Sequence, residues 1–417
     1  MNIFHKHMRF INTIRQGLKD ICQIWRDEMR NVVRDEGVLI FFILVPLAYP
    51  LLYSWIYNNE VVREVPVVVV DQSNTSESRK FIRLADASPD VRVAYRAESI
   101  DEARRIMAHG DAFGVYVLPS DFGSRINRIQ QTSVAVYCDM SLMLAYKAIY
   151  QTASNVSFKM GAEIQVKLSG NTTDREDEIT VRPIDIEEVA MFNPTSGYGS
   201  FIIPGVLMLI IQQTLVLGIG LSAGTARENN KFRELVPFSR CYQGFYRIVL
   251  GKSICYFMIY SVLAAYLTLV VPKFFSFVSL PSASSLLGVM LPYILACIFF
   301  GITVSCMVRY RENVILLVVF MSVPLLFVSG VSWPQSNIPA FWECISWLFP
   351  STFGIRSFVR INSMGADLAD VVNEYCALWI QAIVYFFIAC GVYKYQITRT
   401  RSKAIDRLRE MKKLRKR

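Results

Sequence analysis

Histidine is nearly absent from the 417 residues, with only His5, His7 and His109, and the nine cysteines are scattered singly. No pair among them has zinc-ligand spacing, so the sequence offers no metal centre. Within residues 58–197 Cys138 is the one cysteine, which leaves no disulfide inside that stretch. Catalytic signatures are missing too: there is no nucleophile elbow and no nucleophile beside a plausible base. Gly251-Lys252-Ser253 ends like a phosphate-binding loop, but Tyr246 stands where that motif needs its first glycine, and a long apolar run follows. The chain reads as a protein without a catalytic site of its own.

Charge is absent over long stretches. Residues 198–226 and 253–272 carry none at all, and 53% of the chain is hydrophobic, with a mean hydropathy of +0.34. Buried helices of a soluble enzyme keep a polar face, whereas these runs keep none. A central Lys or Asp would cost about 2.5–3.5 kcal/mol on insertion into lipid. About 20 helical residues cross a hydrocarbon core of about 30 Å. The runs are therefore read as membrane spans at 37–57, 198–226, 253–272, 285–308, 314–333 and 375–395, six in all.

Between the second and third spans lies a charged segment, 225–252, with the sequence TARENNKFRELVPFSRCYQGFYRIVLGK. Its basic residues, those at Arg309 and Arg311, the N-terminal segment and the Lys/Arg-rich tail 397–417 fall on one side if six spans are drawn. The positive-inside bias makes that side cytoplasmic, with both termini there. Residues 1–36 read as an interfacial amphipathic helix, with Ile11, Ile14, Leu18, Ile21, Trp25, Met29 and Val32 on one stripe. The sequence pI of about 9.1 needs no nucleic-acid partner, because the positive-inside bias and attraction to membrane lipids account for it.

Residues 58–197 change character to an extracytoplasmic α/β domain. Strands are expected at 66–71, 91–96, 113–118, 134–138 and 181–186, and helices at 73–87, 99–109 and 142–168. Ser99 followed by Glu102 marks a helix start. Residues 333–360, WPQSNIPAFWECISWLFPSTFGIRSFVR, are too broken for a span and too apolar for a loop, which points to a re-entrant or interfacial hairpin. The fold class is thus a polytopic α-helical membrane protein with six transmembrane helices, a re-entrant or interfacial hairpin and an inserted α/β domain.

Several stretches resemble the permeases of ABC type-2 transporters, in the exporter branch with six spans and a large external domain after the first. RDEGVLIFFILVPLAYPLLYSWIY followed by VPVVVVDQSNTSESRKFI resembles the first span and the strand, Asp and Ser-rich turn after it. FNPTSGYGSFIIPGVL, LGKSICYFMIY and SGVSWPQSNIPAFWECISWLFPSTFGIRSFVRI resemble later landmarks, and ARENNKFREL sits where the family has its charged coupling segment. The family commonly follows the Glu of that segment with Gly-Thr; here Glu228 is followed by Asn229-Asn230-Lys231.

The resemblance implies a permease of an inner-membrane exporter for amphipathic or hydrophobic small molecules, drug-like or lipid-like. A second permease, identical or paralogous, and a cytoplasmic ATPase dimer that holds ATP and Mg would complete it. A periplasmic membrane-fusion adaptor with an outer-membrane channel is a further implied partner. Arg227, Glu228, Lys231, Arg233 and Glu234 would couple to the ATPase. Trp333, Pro334, Trp342, Trp347, Phe349 and Pro350 would shape an external gate, or form an aromatic belt at the membrane surface. Gln212, Gln213 and Thr214 are candidates for facing the pathway, with hydrogen bonding between helices as the other reading. A receptor or anchor that binds a partner through the external domain, without transport, is the alternative.

Overall fold

The structure is a computed structural model that describes residues 2–58, 61–184, 189, 191–194, 197–228, 245–308 and 310–414; side chains of 2–14, 226–228, 307 and 396–414 are not described. It divides into two compact units, one of residues 1–60 with 191–417 and one of residues 61–190.

The larger unit is helical. An amphipathic helix α1 (Asn2–Arg34) leads into α2 (Glu36–Ile56), and after the second unit come α8 (Tyr198–Glu228), α9 (Phe245–Phe274), α10 (Ala283–Met307) and α11 (Arg311–Val328). A short pair, α12 (Ala340–Ser346) and α13 (Pro350–Met364), precedes α14 (Val372–Leu414). Among the described residues six helices, α2, α8, α9, α10, α11 and α14, are long and apolar enough to cross a membrane.

Burial ranks these helices. In its most apolar window α8 is 89% buried while α11 is only 11% buried, so α8 is the axis of the unit and α11 lies at its edge. Neighbours approach α8 and α9 closely where glycine leaves room. A Cβ on Gly218 would lie 2.0 Å from the Phe42 ring, and one on Gly251 would meet Ile24 Cβ at 2.8 Å.

Two helices carry a π turn, Ile40–Leu44 in α2 and Tyr266–Val270 in α9. Each ends two residues before a proline, Pro46 and Pro272. A proline ring crowds the carbonyl four residues back, and widening that turn relieves the clash without ending the helix. Tyr266, at the second π turn, donates its hydroxyl to the Leu47 carbonyl of α2 at 3.1 Å.

The second unit is a four-stranded sheet of β1 (Val65–Asp71), β2 (Val91–Arg96), β3 (Gly114–Leu118) and β4 (Ala135–Cys138), in the order β2-β1-β3-β4. β1 runs parallel to β2 and β3, and β4 returns antiparallel to β3. Its helices are α3 (Ser76–Asp86), α4 (Ile100–His109), α5 (Phe122–Asn127), α6 (Met143–Ser169) and α7 (Asp174–Val181). One sheet face packs on residues of α3 and α6 and the other on α4. The first turn after β1 is fixed by Asp71, whose carboxylate accepts from the backbone N–H groups of Ser73 and Asn74 and from the Ser78 hydroxyl. Ser99 caps α4 as expected, accepting from the Glu102 N–H at 3.2 Å.

The strand expected from Val181 is absent from the described residues. Thr173 and Glu176 cap each other's backbone, which makes Asp174–Val181 a helix, and residues 185–188 lie outside the described part.

Candidate functional site

α9 begins at Phe245, eight residues before the uncharged run that marks it in the sequence, and this brings Arg247 and Lys252 into the helix. Both are buried, and α1 supplies their partners. Residues 17, 20, 24, 28 and 32 form the packed face of α1 at helical spacing, so Asp20 and Glu28 point the same way. Arg247 Nη1 donates to Asp20 Oδ2 at 2.8 Å, and Lys252 Nζ to Glu28 Oε2 at 2.9 Å. The Tyr256 hydroxyl donates to the other oxygen of Glu28. A third contact closes the joint, where Arg311 at the start of α11 lies 3.7 Å from Asp35 and donates to Thr225 Oγ1 in α8 at 3.4 Å. Asp35 also caps α2 through the N–H groups of Gly37 and Val38.

These charges surround a cavity of about 550 Å³ lined by α1 and by all six spans, with Glu28, Asp35, Glu36, Arg34, Lys252 and Arg311 on its walls. Its acids and bases balance, and hydroxyls such as those of Ser222 and Ser305 share the rest of the lining with Asn31 and apolar side chains. Such a joint can transmit motion, because ion pairs withdrawn from water are strong while they are intact and costly to break.

At the middle of the spans is a second polar cluster, built around the break between α12 and α13. Interrupted backbone inside a membrane protein needs partners for its freed groups. Gln212, near the midpoint of α8, accepts from the Ser351 N–H at 2.5 Å. Gln381 and Tyr385, either side of the midpoint of the α14 span, donate to the carbonyls of Trp347 (2.7 Å) and Leu348. Thr352 donates to the Ser346 carbonyl at 2.8 Å. The hairpin tip therefore reaches the mid-depth of the bundle. Farther up α13, Arg356 donates to the Ser329 carbonyl at 3.1 Å, at the C-terminus of α11, and Arg360 pairs with Glu374 at 3.3 Å.

The residues picked out in the sequence fall in several places. Arg227 and Glu228 form the last turn of α8, with side chains outside the described set, and Lys231, Arg233 and Glu234 lie outside the described residues altogether. Trp333, Pro334, Trp342 and Trp347 are exposed on the hairpin, whereas Phe349 packs edge-on against Phe300 and Pro350 is buried at the first turn of α13. Gln212 is engaged at the tip, and Thr214 accepts from the Tyr260 hydroxyl at 3.0 Å. Gln213 keeps a buried amide N–H with no partner. Sequence reasoning missed Asp20, Glu28, Arg247 and Lys252. The eight-residue spacing of the two acids was the available signal, but the expected stripe through Leu18, Trp25 and Met29 runs along α1 beside the packed face rather than through it.

The profile of the family described as ABC-2 family transporter protein matches residues 37–390. The chain is also similar to the probable multidrug ABC transporter permease YbhR of Escherichia coli, strain K12, at 22% identity over 347 residues, covering 81% of this chain and 87% of the relative. The YbhR sequence of E. coli O157:H7 gives the same figures.

Proposed function

Because the chain belongs to the ABC-2 family of transporter proteins, we propose that this multi-pass membrane protein is the permease of an ATP-driven exporter, energised by a separate ATPase dimer that holds ATP and Mg. Its likeness to a permease named for multidrug transport supports an amphipathic or hydrophobic small molecule as substrate. Two copies, or this chain and a paralogue, enclose the pathway in the inner membrane, with both termini cytoplasmic and the unit 61–190 on the far side, available to an adaptor and an outer-membrane channel. Arg227, Glu228, Lys231, Arg233 and Glu234 meet the ATPase. The exposed hairpin residues Trp333, Pro334, Trp342 and Trp347 shape the external gate together with Phe349 and Pro350, and Gln213 is the pathway candidate with an uncommitted donor.

The observation that carries this reading, beyond the family itself, is the ion-paired joint. It ties α9, which follows the coupling segment, to α1, and ties the start of α11 to the start of α2 and the end of α8. A push on the segment thereby reaches helices at both edges of the bundle.

The test is purification of the tagged protein in mild detergent, with co-purifying subunits identified and ATP hydrolysis measured for wild type, Glu228→Lys and Arg233→Glu. A stoichiometric ATPase that is lost on charge reversal is expected. A chain that purifies alone, or with an external partner only and no hydrolysis, would move the assignment to a receptor or anchor.

A further inference from the structure

α1 presents three faces, and among the described residues only one of them is packed against the chain. Gly17, Asp20, Ile24, Glu28 and Val32 are buried. Beside them runs an apolar strip of Leu18, Trp25, Met29 and Val33, of which Leu18 is 58% and Val33 60% exposed. Arg15, Lys19, Arg26, Arg30 and Arg34 make the third face, all exposed. Residues 15–34 hold these five bases against three acids, Asp20, Asp27 and Glu28. Two of those acids are turned inward and neutralised by Arg247 and Lys252, which leaves Asp27 alone among the outward bases. The outward surface is therefore far more positive than the helix as a whole.

A groove of about 350 Å³ runs along this surface, with Trp25, Met29 and Val33 on one wall and Arg26, Arg30 and Arg34 on the other. The indole N–H of Trp25 is buried and has no acceptor. Apolar strip beside basic strip, parallel to the axis, is the layout of a helix lying in the plane of a bilayer surface.

We propose that this groove binds the phosphate of an anionic phospholipid. Guanidinium groups of Arg26 and Arg30 donate in pairs to the phosphate oxygens, the Trp25 N–H supplies a further donor, and the acyl chains lie along Leu18, Met29 and Val33. Arg34 lines both the groove and the charged cavity, so the head group sits beside the joint that holds α1 to α9. With the termini cytoplasmic, as proposed above, the lipid lies in the cytoplasmic leaflet; its leaflet rests on that orientation, the binding chemistry does not.

The test uses the full-length permease alone, in nanodiscs of phosphatidylcholine containing trace spin-labelled phosphatidylglycerol or phosphatidylcholine, and reads the motionally restricted fraction of each. Wild type should prefer phosphatidylglycerol, and the preference should weaken with added salt. At about 1 kcal/mol for each basic residue near the surface, each Arg→Gln change should lower the preference about fivefold, so R26Q/R30Q/R34Q should abolish it. R26K/R30K/R34K should keep part of it, and Trp25→Phe should reduce it without removing it. Should the triple Gln variant fail to fold, R30Q alone must still show the fivefold drop. An equal preference in wild type and the Gln variants overturns the proposal. So does an unchanged lipid preference in a Gln variant that loses the ATPase in the separate co-purification described above, which would make this face a protein contact. Because lipid binding by the permease alone is read, failure here leaves the transport reading standing.

Discussion

Lys252 shows what one residue can hide. It follows a glycine and ends a charged segment in the sequence, so hydropathy assigns it to a loop, yet it lies inside α9 with its ammonium on Glu28. Hydropathy counts charges and does not see a partner far upstream in the chain. Removing only one member of such a pair leaves an uncompensated buried charge, at a cost of about 3–5 kcal/mol, whereas replacing both with apolar side chains of similar size is often nearly neutral. Lys252→Met should therefore lower the thermal midpoint of the detergent-purified protein sharply, and Lys252→Met with Glu28→Met should recover most of the loss. If the double variant is no better than the single one, the two side chains do not act as a pair. Gln212 offers a comparable case at the hairpin. Its carboxamide oxygen accepts from the Ser351 N–H, so Gln212→Leu should cost about 1–3 kcal/mol and should increase protease cleavage around 347–350, while Gln212→Glu keeps an acceptor there.

Elements were legible where a local signal fixed them. The strand pattern of PVVVVD, the cap at Ser99 and the apolar runs led to β1, α4 and the spans, because each depends on neighbours within a few residues. The broken composition after α11 announced a hairpin, but its depth did not follow from it, since the tip is held by Gln212, Gln381 and Tyr385 from distant spans. The packed face of α1 was missed for a related reason: two carboxylates belong to it, and a stripe search rejects carboxylates. That packing is also intolerant of bulk. Gly251→Val would set a side chain 2.8 Å from Ile24 Cβ and 3.1 Å from the Ile21 carbonyl, so α1 should lift from α9 and its amides should exchange hydrogen faster, while those of α10 keep their protection. In the second unit, α3 and α6 are linked by Lys80 and Glu163, and the hydrogen bond from Lys80 holds the Glu163 carboxyl below the usual carboxylate range. A lowered folded pKa means that the contribution is present above the unfolded value of about 4.3 and is lost as pH falls through the folded one. Protection factors for amide exchange in α3 and α6, taken relative to the intrinsic rate at each pH, should thus fall on acidification below about pH 4, and Lys80→Met should flatten that dependence.

At the scale of the whole molecule, the unevenness of burial among the spans asks for a second chain. α8 is enclosed by its neighbours, while α11 turns Val319, Phe320, Val323 and Phe327 outward, Phe320 with 74% of its surface exposed. The hairpin continues that apolar surface with Phe341 and Trp342, also exposed. Lipid can cover such a face, as it can cover the outward side of α14, where Ile383 is 53% exposed. The two faces differ in their polar surroundings. Beside α11 stand Arg311 at one end and the half-buried Arg356 near the other, which donates to the Ser329 carbonyl. Guanidinium groups at both ends of an exposed apolar face suit a protein neighbour, which offers carbonyls and carboxylates, better than acyl chains, which offer no acceptor. The paired permease proposed above should therefore seat on α11 and the hairpin. In a chain without its native cysteines, single cysteines at Phe320 or Val323 should cross-link two copies in native membranes, and one at Ile383 should not. Cross-linking at Ile383 alone would move the pairing face to α14 and leave the α11 surface to lipid.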